Sequence, residues 1–163
     1  MIVAPRPDLL RGAIAGLVAG LAASWAMDLA QKGLSKLSSD QGGGSGEPAT
    51  EQAADTVARA TTNKPVPDAM KAQAGQAVHY GFGALLGLAY GVASEFWPQV
   101  GFARGTAFGF GSALVFDEAA VPSMGLGEAP WQAPPSTHFY AVASHLVFGG
   151  AAEGARRLIR ATI

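Results

Sequence analysis

The sequence predicts an all-α membrane protein of four transmembrane helices, built as two repeated helical hairpins that pack through small residues. Three observations predict it. The first is a repeated ladder: Gly12, Gly16, Gly20, Ser24 and Asp28 recur as Gly101, Gly105, Gly109, Ala113 and Asp117. Each ladder is followed by a histidine four residues before a glycine, His79 with Gly83 and His145 with Gly149. Spacing by four keeps residues close on one helix face. Small residues there let backbones approach, which is how helices associate in lipid. The second observation is composition. The 163 residues are 49% hydrophobic and 14% charged, with 22 glycines, whereas soluble domains carry about 25% charged residues. The third is a set of four apolar stretches at roughly 9–31, 74–95, 102–121 and 137–156. Each approaches the ~20 residues that cross a hydrocarbon core. The whole chain, 1–163, reads as one membrane domain.

Helix one follows Pro5 and Pro7 and runs to about Lys32. Its length, Trp25, Met27 and Asp28 distinguish it from a signal-peptide core, so it is expected to stay in the protein. A polar loop over 33–72 follows, with a flexible Gln41–Gly46 run that cannot pack a core. Within that loop Thr50 to Ala60 reads as a short surface helix with an incomplete capping box. Asp68 is placed to cap helix two. Helix two carries the unbroken ladder Gly75, His79, Gly83, Gly87, Gly91, Glu95 and stops at Trp97-Pro98. Helix three starts near Gly101 and ends by Val121, because Pro122 cannot continue it. The segment Pro122 to Pro135 holds four prolines and two glycines and reads as an interfacial or re-entrant loop. Ser136 then caps helix four, which ends in the basic Arg156-Arg157-x-x-Arg160 tail.

Charge excludes some function classes. A net charge of −1 offers no basic face, so no nucleic-acid partner is expected. There is no cysteine, hence no disulfide, thiolate or c-type haem chemistry. Phosphate-loop, His-Glu-x-x-His and Gly-x-Ser-x-Gly signatures are absent, and Ser112 reads as a packing residue. The chain reads as a non-enzyme. Arg6, Arg11, Arg104, Arg156, Arg157 and Arg160 fall at one end of the helices and favour cytoplasmic termini, while Lys32, Lys36 and Lys71 oppose that orientation.

The repeat brings Asp28, His79, Asp117 and His145 to a similar depth, which makes them the candidate polar cluster. Ionisable groups in the apolar zone usually face a partner or a cavity. Two Asp–His hydrogen bonds pinning helices together, a proton or ion path, and ligation of a divalent metal by His79, His145, Asp28 and Asp117 all remain open. Haem held by His138 and His145, or by His79 and His145, is a further alternative. Glu95 and Glu153 against Arg11, Arg104 and Arg157 read as interfacial ion pairs, with anionic-lipid binding by the basic tail as the functional alternative. Glu118 reads as a helix-end marker. Gly12, Gly16, Gly20, Gly83, Gly87, Gly91, Gly105, Gly109 and Gly149 are the candidate packing residues. Four residues overshoot a helical turn by about 40°, so these ladders wind and leave small surface for a second protomer. The partners expected are therefore the bilayer and a homo-oligomer or larger membrane complex.

The Pro- and Gly-broken segment followed by His138-x6-His145-x-x-Phe148-Gly149 resembles the YagU-like (DUF1440) family of small bacterial inner-membrane proteins. That resemblance implies a multi-pass inner-membrane protein and supplies no catalytic residues. The expected role is a structural or accessory subunit, with no cofactor. The alternatives are a small transporter or proton-handling protein using the Asp/His set, and a haem-carrying electron-transfer subunit.

Overall fold

The computed structural model describes residues 7–37 and 47–163. Pro5, Arg6 and the Gln41–Gly46 run lie outside the described residues. The described residues form helices and turns with no strand. In chain order the helices are α1 (Leu9–Leu37), α2 (Ala49–Thr62), α3 (Lys71–Phe96), α4 (Thr106–Ser112), α5 (Val121–Ser123) and α6 (Pro135–Thr162). A π-helical segment, Ala113–Ala120, joins α4 to α5 without a break.

Several boundaries differ from the sequence expectation, each for a local reason. α1 continues to Leu37 because Gln31, Lys32, Leu34 and Lys36 are good helix formers after the apolar run ends. α2 ends on Asn63 in the left-handed conformation at φ 56°, whose N–H bonds the Arg59 carbonyl. Asp68 does not cap α3; it begins a one-turn 3-10 helix and pairs with Lys71 at 3.1 Å. Gly101 and Gly105 lie in the turn Pro98–Gly105, where Ala103, Arg104 and Gly105 all have positive φ (51°, 58° and 85°). The helix thus starts at Thr106. α6 starts on Pro135 at its first position, where a missing N–H costs nothing, with Pro134 before it in place of the expected Ser136 cap.

Pro122 continues the helix, contrary to the expected stop at Val121. A proline breaks an α-helix by removing a hydrogen bond and crowding the carbonyl four residues back. The widened turn before it relieves that crowding: the Val121 N–H reaches back five residues to the Phe116 carbonyl.

α1 is the central helix and packs against both α3 and α6, while α4 packs on α6 and α2 lies across the start of α3. α1 buries two parallel stripes. One is Gly12, Gly16, Gly20 and Ser24. The other, absent from the sequence expectation, is Ala15, Ala19 and Ala23, each fully buried, followed by Met27. Ala23 and Met27 join Phe148 and Ala152 of α6 in the core cluster. The glycine stripe meets α3 backbone to backbone. A Cβ placed on Gly16 would overlap the Gly87 carbonyl, and one on Gly20 the Gly83 carbonyl. In the second half Gly105 and Gly109 meet α6 at the carbonyls of Gly149 and His145.

The distribution of side chains is inverted relative to a water-soluble bundle. The interior holds mainly alanine and glycine with the polar Ser24, Ser94, Ser112, Ser144 and Glu153, and of the large side chains Met27, Tyr90 and Phe148. The exterior holds Leu10, Trp25, Leu85, Phe102, Trp131, Phe139 and Leu158, each more than half exposed. Two helices, Leu9–Lys36 and Asp68–Phe96, are long and apolar enough to cross a membrane, and only 39% and 28% of their apolar windows are buried inside the protein.

Candidate functional site

The packing of α3 on α1 and of α6 on α4 turns three acid–histidine pairs toward each other. In the first, His79 Nε2 lies 3.2 Å from Asp28 Oδ1 and also 3.4 Å from the Ser24 carbonyl. Gln76 donates to Asp28 Oδ2 at 2.7 Å and the Tyr80 hydroxyl donates to the same oxygen at 3.0 Å. Gln76, His79 and Tyr80 stand at i, i+3 and i+4, one face of α3, so this spacing was the signal that could have added Gln76 and Tyr80 to the set. In the second pair His145 Nδ1 lies 3.1 Å from Asp117 Oδ2 and 3.0 Å from the Ala141 carbonyl.

Both pairs share one chemical form. One ring nitrogen meets a backbone carbonyl in a hydrogen bond and lies within ion-pair distance of a carboxylate. The second ring nitrogen, Nδ1 of His79 and Nε2 of His145, has no hydrogen-bond partner among the described residues.

The third pair was not legible in the sequence. Glu118 is part of an acid–histidine pair, with Oε1 2.6 Å from His138 Nδ1, and is not merely a helix-end marker. His138 Nε2 lies 3.0 Å from the Pro130 carbonyl. Here both ring nitrogens face acceptors, and only the doubly protonated imidazolium donates to both. This ring ties α6, the π-helical segment and the 124–134 loop to one another. Glu118→Gln is expected to loosen that loop, raising hydrogen exchange and proteolysis at 124–134 while the helices keep their protection. Unchanged protection of the loop in that variant would show that the clamp does not hold it.

The four sequence candidates are therefore two separate pairs. Among the described residues no three histidine, aspartate or glutamate side chains converge as a metal ion would need. His138 cannot share an iron with His145 unless it gives up Glu118 or the Pro130 carbonyl. Beside the first pair, Asp28, Gln31, Lys32, Ser35, Gln76 and Tyr140 line an open depression of about 340 Å³.

A second polar layer lies at the other end of the bundle. Glu153 is 2% exposed and accepts from Tyr90 at 2.9 Å, from Arg156 at 2.8 and 3.0 Å, and from Arg157. Glu95 accepts from Arg160 at 2.7 and 3.2 Å and from the Asp8 N–H at 2.9 Å. The expected partners of these glutamates are thus revised: Arg156 and Arg160 take the main roles, Arg157 shares Glu153, and Arg11 pairs with Asp8 at 3.3 Å. Between the two layers the rings of Tyr90 and Phe108 stack at 4.3 Å, with Phe148 beyond at 6.3 Å from Phe108. Ser24 and Ser144 are fully buried, and their hydroxyls have no hydrogen-bond partner among the described residues.

Outside the long helices, Asp55 on α2 accepts from Arg59 at 2.6 Å and from the Val66 N–H at 2.7 Å. The Arg59 guanidinium, and then the Val66 amide, hold the Asp55 carboxyl below its ordinary value of 3.8. A depressed carboxylate keeps its bonds above that value and loses them as pH falls through the lowered one. The α2-to-α3 connection is locked at neutral pH.

Comparison with curated proteins and with solved structures yields no match. Comparison with family models matches residues 54–153, from within α2 to the buried Glu153, and leaves α1 outside. The matched span carries His79, Asp117, Glu118, His138 and His145, and on it the chain belongs to the family described as protein of unknown function (DUF1440).

Proposed function

We propose that this protein is a multi-pass component of the bacterial inner membrane, with four spans and cytoplasmic termini, serving as a structural or accessory subunit. The single observation that carries the reading is the inverted distribution: mostly small and polar groups inside, and most of the large apolar side chains outside. In water the exposed Leu10, Trp25, Leu85 and Phe139 would be a costly surface, whereas in lipid they are solvated and only packing and polar contacts hold the helices together. α1 and α3 supply two spans. The path Thr106–Ser123 and helix α6 supply the other two, the latter kept apolar by pairing its charges at one end. The loop at 124–134, with Trp131 85% exposed, is not covered by protein and so belongs at the interface.

The absence of native cysteine makes the test direct. Single cysteines at Ser35 and Gly127 are expected to react with an impermeant thiol reagent from outside intact inner-membrane vesicles of native orientation, and cysteines at Arg104 and Thr162 only after the membrane is opened. Equal labelling of all four in closed vesicles would overturn the four-span arrangement.

One observation favours a second reading, proton handling. The Asp28–His79 and Asp117–His145 pairs each keep a ring nitrogen free to take or release a proton. Against it, the rings of Phe108 and Phe148 lie between the two polar layers, Phe108 stacked on Tyr90. Under the structural reading the double variant Asp28→Asn, Asp117→Asn leaves vesicle proton flux unchanged and lowers stability. Loss of a measured flux with the fold intact would favour the second.

A further inference from the structure

We infer that the end of the bundle carrying Arg104 and Arg157 binds the phosphodiester headgroup of an anionic phospholipid; the inference rests on the membrane reading above. The argument starts from how the arginines at that end are used. Arg160 gives two N–H groups to Glu95, and Arg156 gives two to Glu153. Arg11 is matched by Asp8. Those three charges are compensated. Arg157 donates through Nε alone, to a glutamate that Arg156 already neutralises, and its side chain is 61% exposed. Arg104 is exposed and has no hydrogen bond or ion pair among the described residues. One carboxylate thus serves both Arg156 and Arg157, and Arg104 has none, so among the described residues this end carries two more guanidinium charges than carboxylates.

The two belong to one surface. The turn Pro98–Gly105 lies on α6, and a Cβ built on Gly101 would sit 3.7 Å from Arg157 Nη2. Arg157 therefore rests against the turn that carries Arg104. The same turn exposes Phe102 at 73%, and Trp97, the residue before it, is 63% exposed. The amphipathic indole of Trp97 is of the kind that settles at the membrane–water boundary, at headgroup level. Guanidinium forks match phosphate oxygens with paired hydrogen bonds. A zwitterionic headgroup would bring its own ammonium against the two spare cations, so a headgroup with net negative charge is the one selected.

The test uses the full chain in nanodiscs or mixed micelles containing phosphatidylglycerol and phosphatidylcholine, with bound lipid read by native mass spectrometry. Each basic group near an anionic surface contributes about fivefold in affinity, so the pair is expected to enrich phosphatidylglycerol by about thirtyfold. The Arg104→Gln, Arg157→Gln variant should lose that enrichment at unchanged helical content, with Arg156 still neutralising Glu153; the single Arg104→Gln variant, at a residue without a carboxylate partner, should lose part of it at unchanged thermal stability. Arg11→Gln, which removes an already compensated charge, should keep most of it. Retention of the full enrichment by the double variant, or displacement of the lipid by inorganic phosphate at comparable concentration, would overturn the inference. A protein that inserts into phosphatidylcholine alone and shows no headgroup preference sinks this inference only. One that enters neither lipid sinks the membrane reading.

Discussion

Gly87→Ala is expected to drive α1 and α3 apart. A Cβ at Gly87 would overlap the Gly16 carbonyl and come within 2.5 Å of the Gly20 Cα and 2.7 Å of its nitrogen. All three are backbone atoms, so no side chain can rotate away. Overpacking a core typically costs about 1–3 kcal/mol even when side chains can adjust, and here the expected loss exceeds that range. Gly81→Ala is the matched control, because nothing lies within 4 Å of its Cβ position on the same helix. Replacing that glycine should leave stability equal, or higher by about 0.5–1 kcal/mol from helix propensity. Thermal unfolding of the two variants in the same detergent decides it. If Gly87→Ala matches Gly81→Ala, the close backbone contact does not exist.

Glu153→Gln should destabilise the protein by about 3–5 kcal/mol, the range measured when one member of a buried ion pair is removed. The carboxylate is the shared acceptor of Tyr90, Arg156 and Arg157. Glutamine keeps the shape and an acceptor for Tyr90 but leaves Arg156, whose side chain is 14% exposed, without a counter-charge. Glu128→Gln, at an exposed position in the 124–134 loop, should change nothing measurable. Equal denaturation midpoints for both variants would mean that Glu153 is not bearing on the fold.

How much of this was legible in the sequence depended on whether a contact follows from helical spacing. The rungs Gly12, Gly16 and Gly20 are legible because close helix packing demands small residues at a fixed interval, and the structure sets them against Gly83, Gly87 and Gly91. The Asp28–His79 and Asp117–His145 contacts follow from the same spacing, since the repeat puts acid and imidazole at corresponding depths. The Ala15, Ala19, Ala23 stripe was equally periodic, but alanine is common in any apolar helix and does not stand out. What could not be read was whatever depends on an irregular backbone. No spacing rule tells that Pro122 would be carried by a π-helical turn, or that Glu118, next to Asp117, would reach His138, seven residues before His145. Nor does it tell that Gly101 and Gly105, rungs of the second ladder, would leave the helix for a left-handed turn. The 3.6-residue period is the basis of the reading, and it fails wherever the period changes.

The central position of α1 sets the order in which this protein can be made. Under the proposed membrane reading, α1 precedes both of its partners, α3 and α6, in the chain, so it waits in the bilayer with two unpartnered faces. Glycine and alanine keep most of both faces compatible with lipid, with Ser24 and Asp28 the polar groups that await α3. α6 follows both in the chain, and its alanine-lined seat on α1 is complete before it emerges. Biogenesis is then a matter of successive docking onto a template, and truncation before α6 would leave a stable α1–α3 pair in the membrane rather than an unfolded chain.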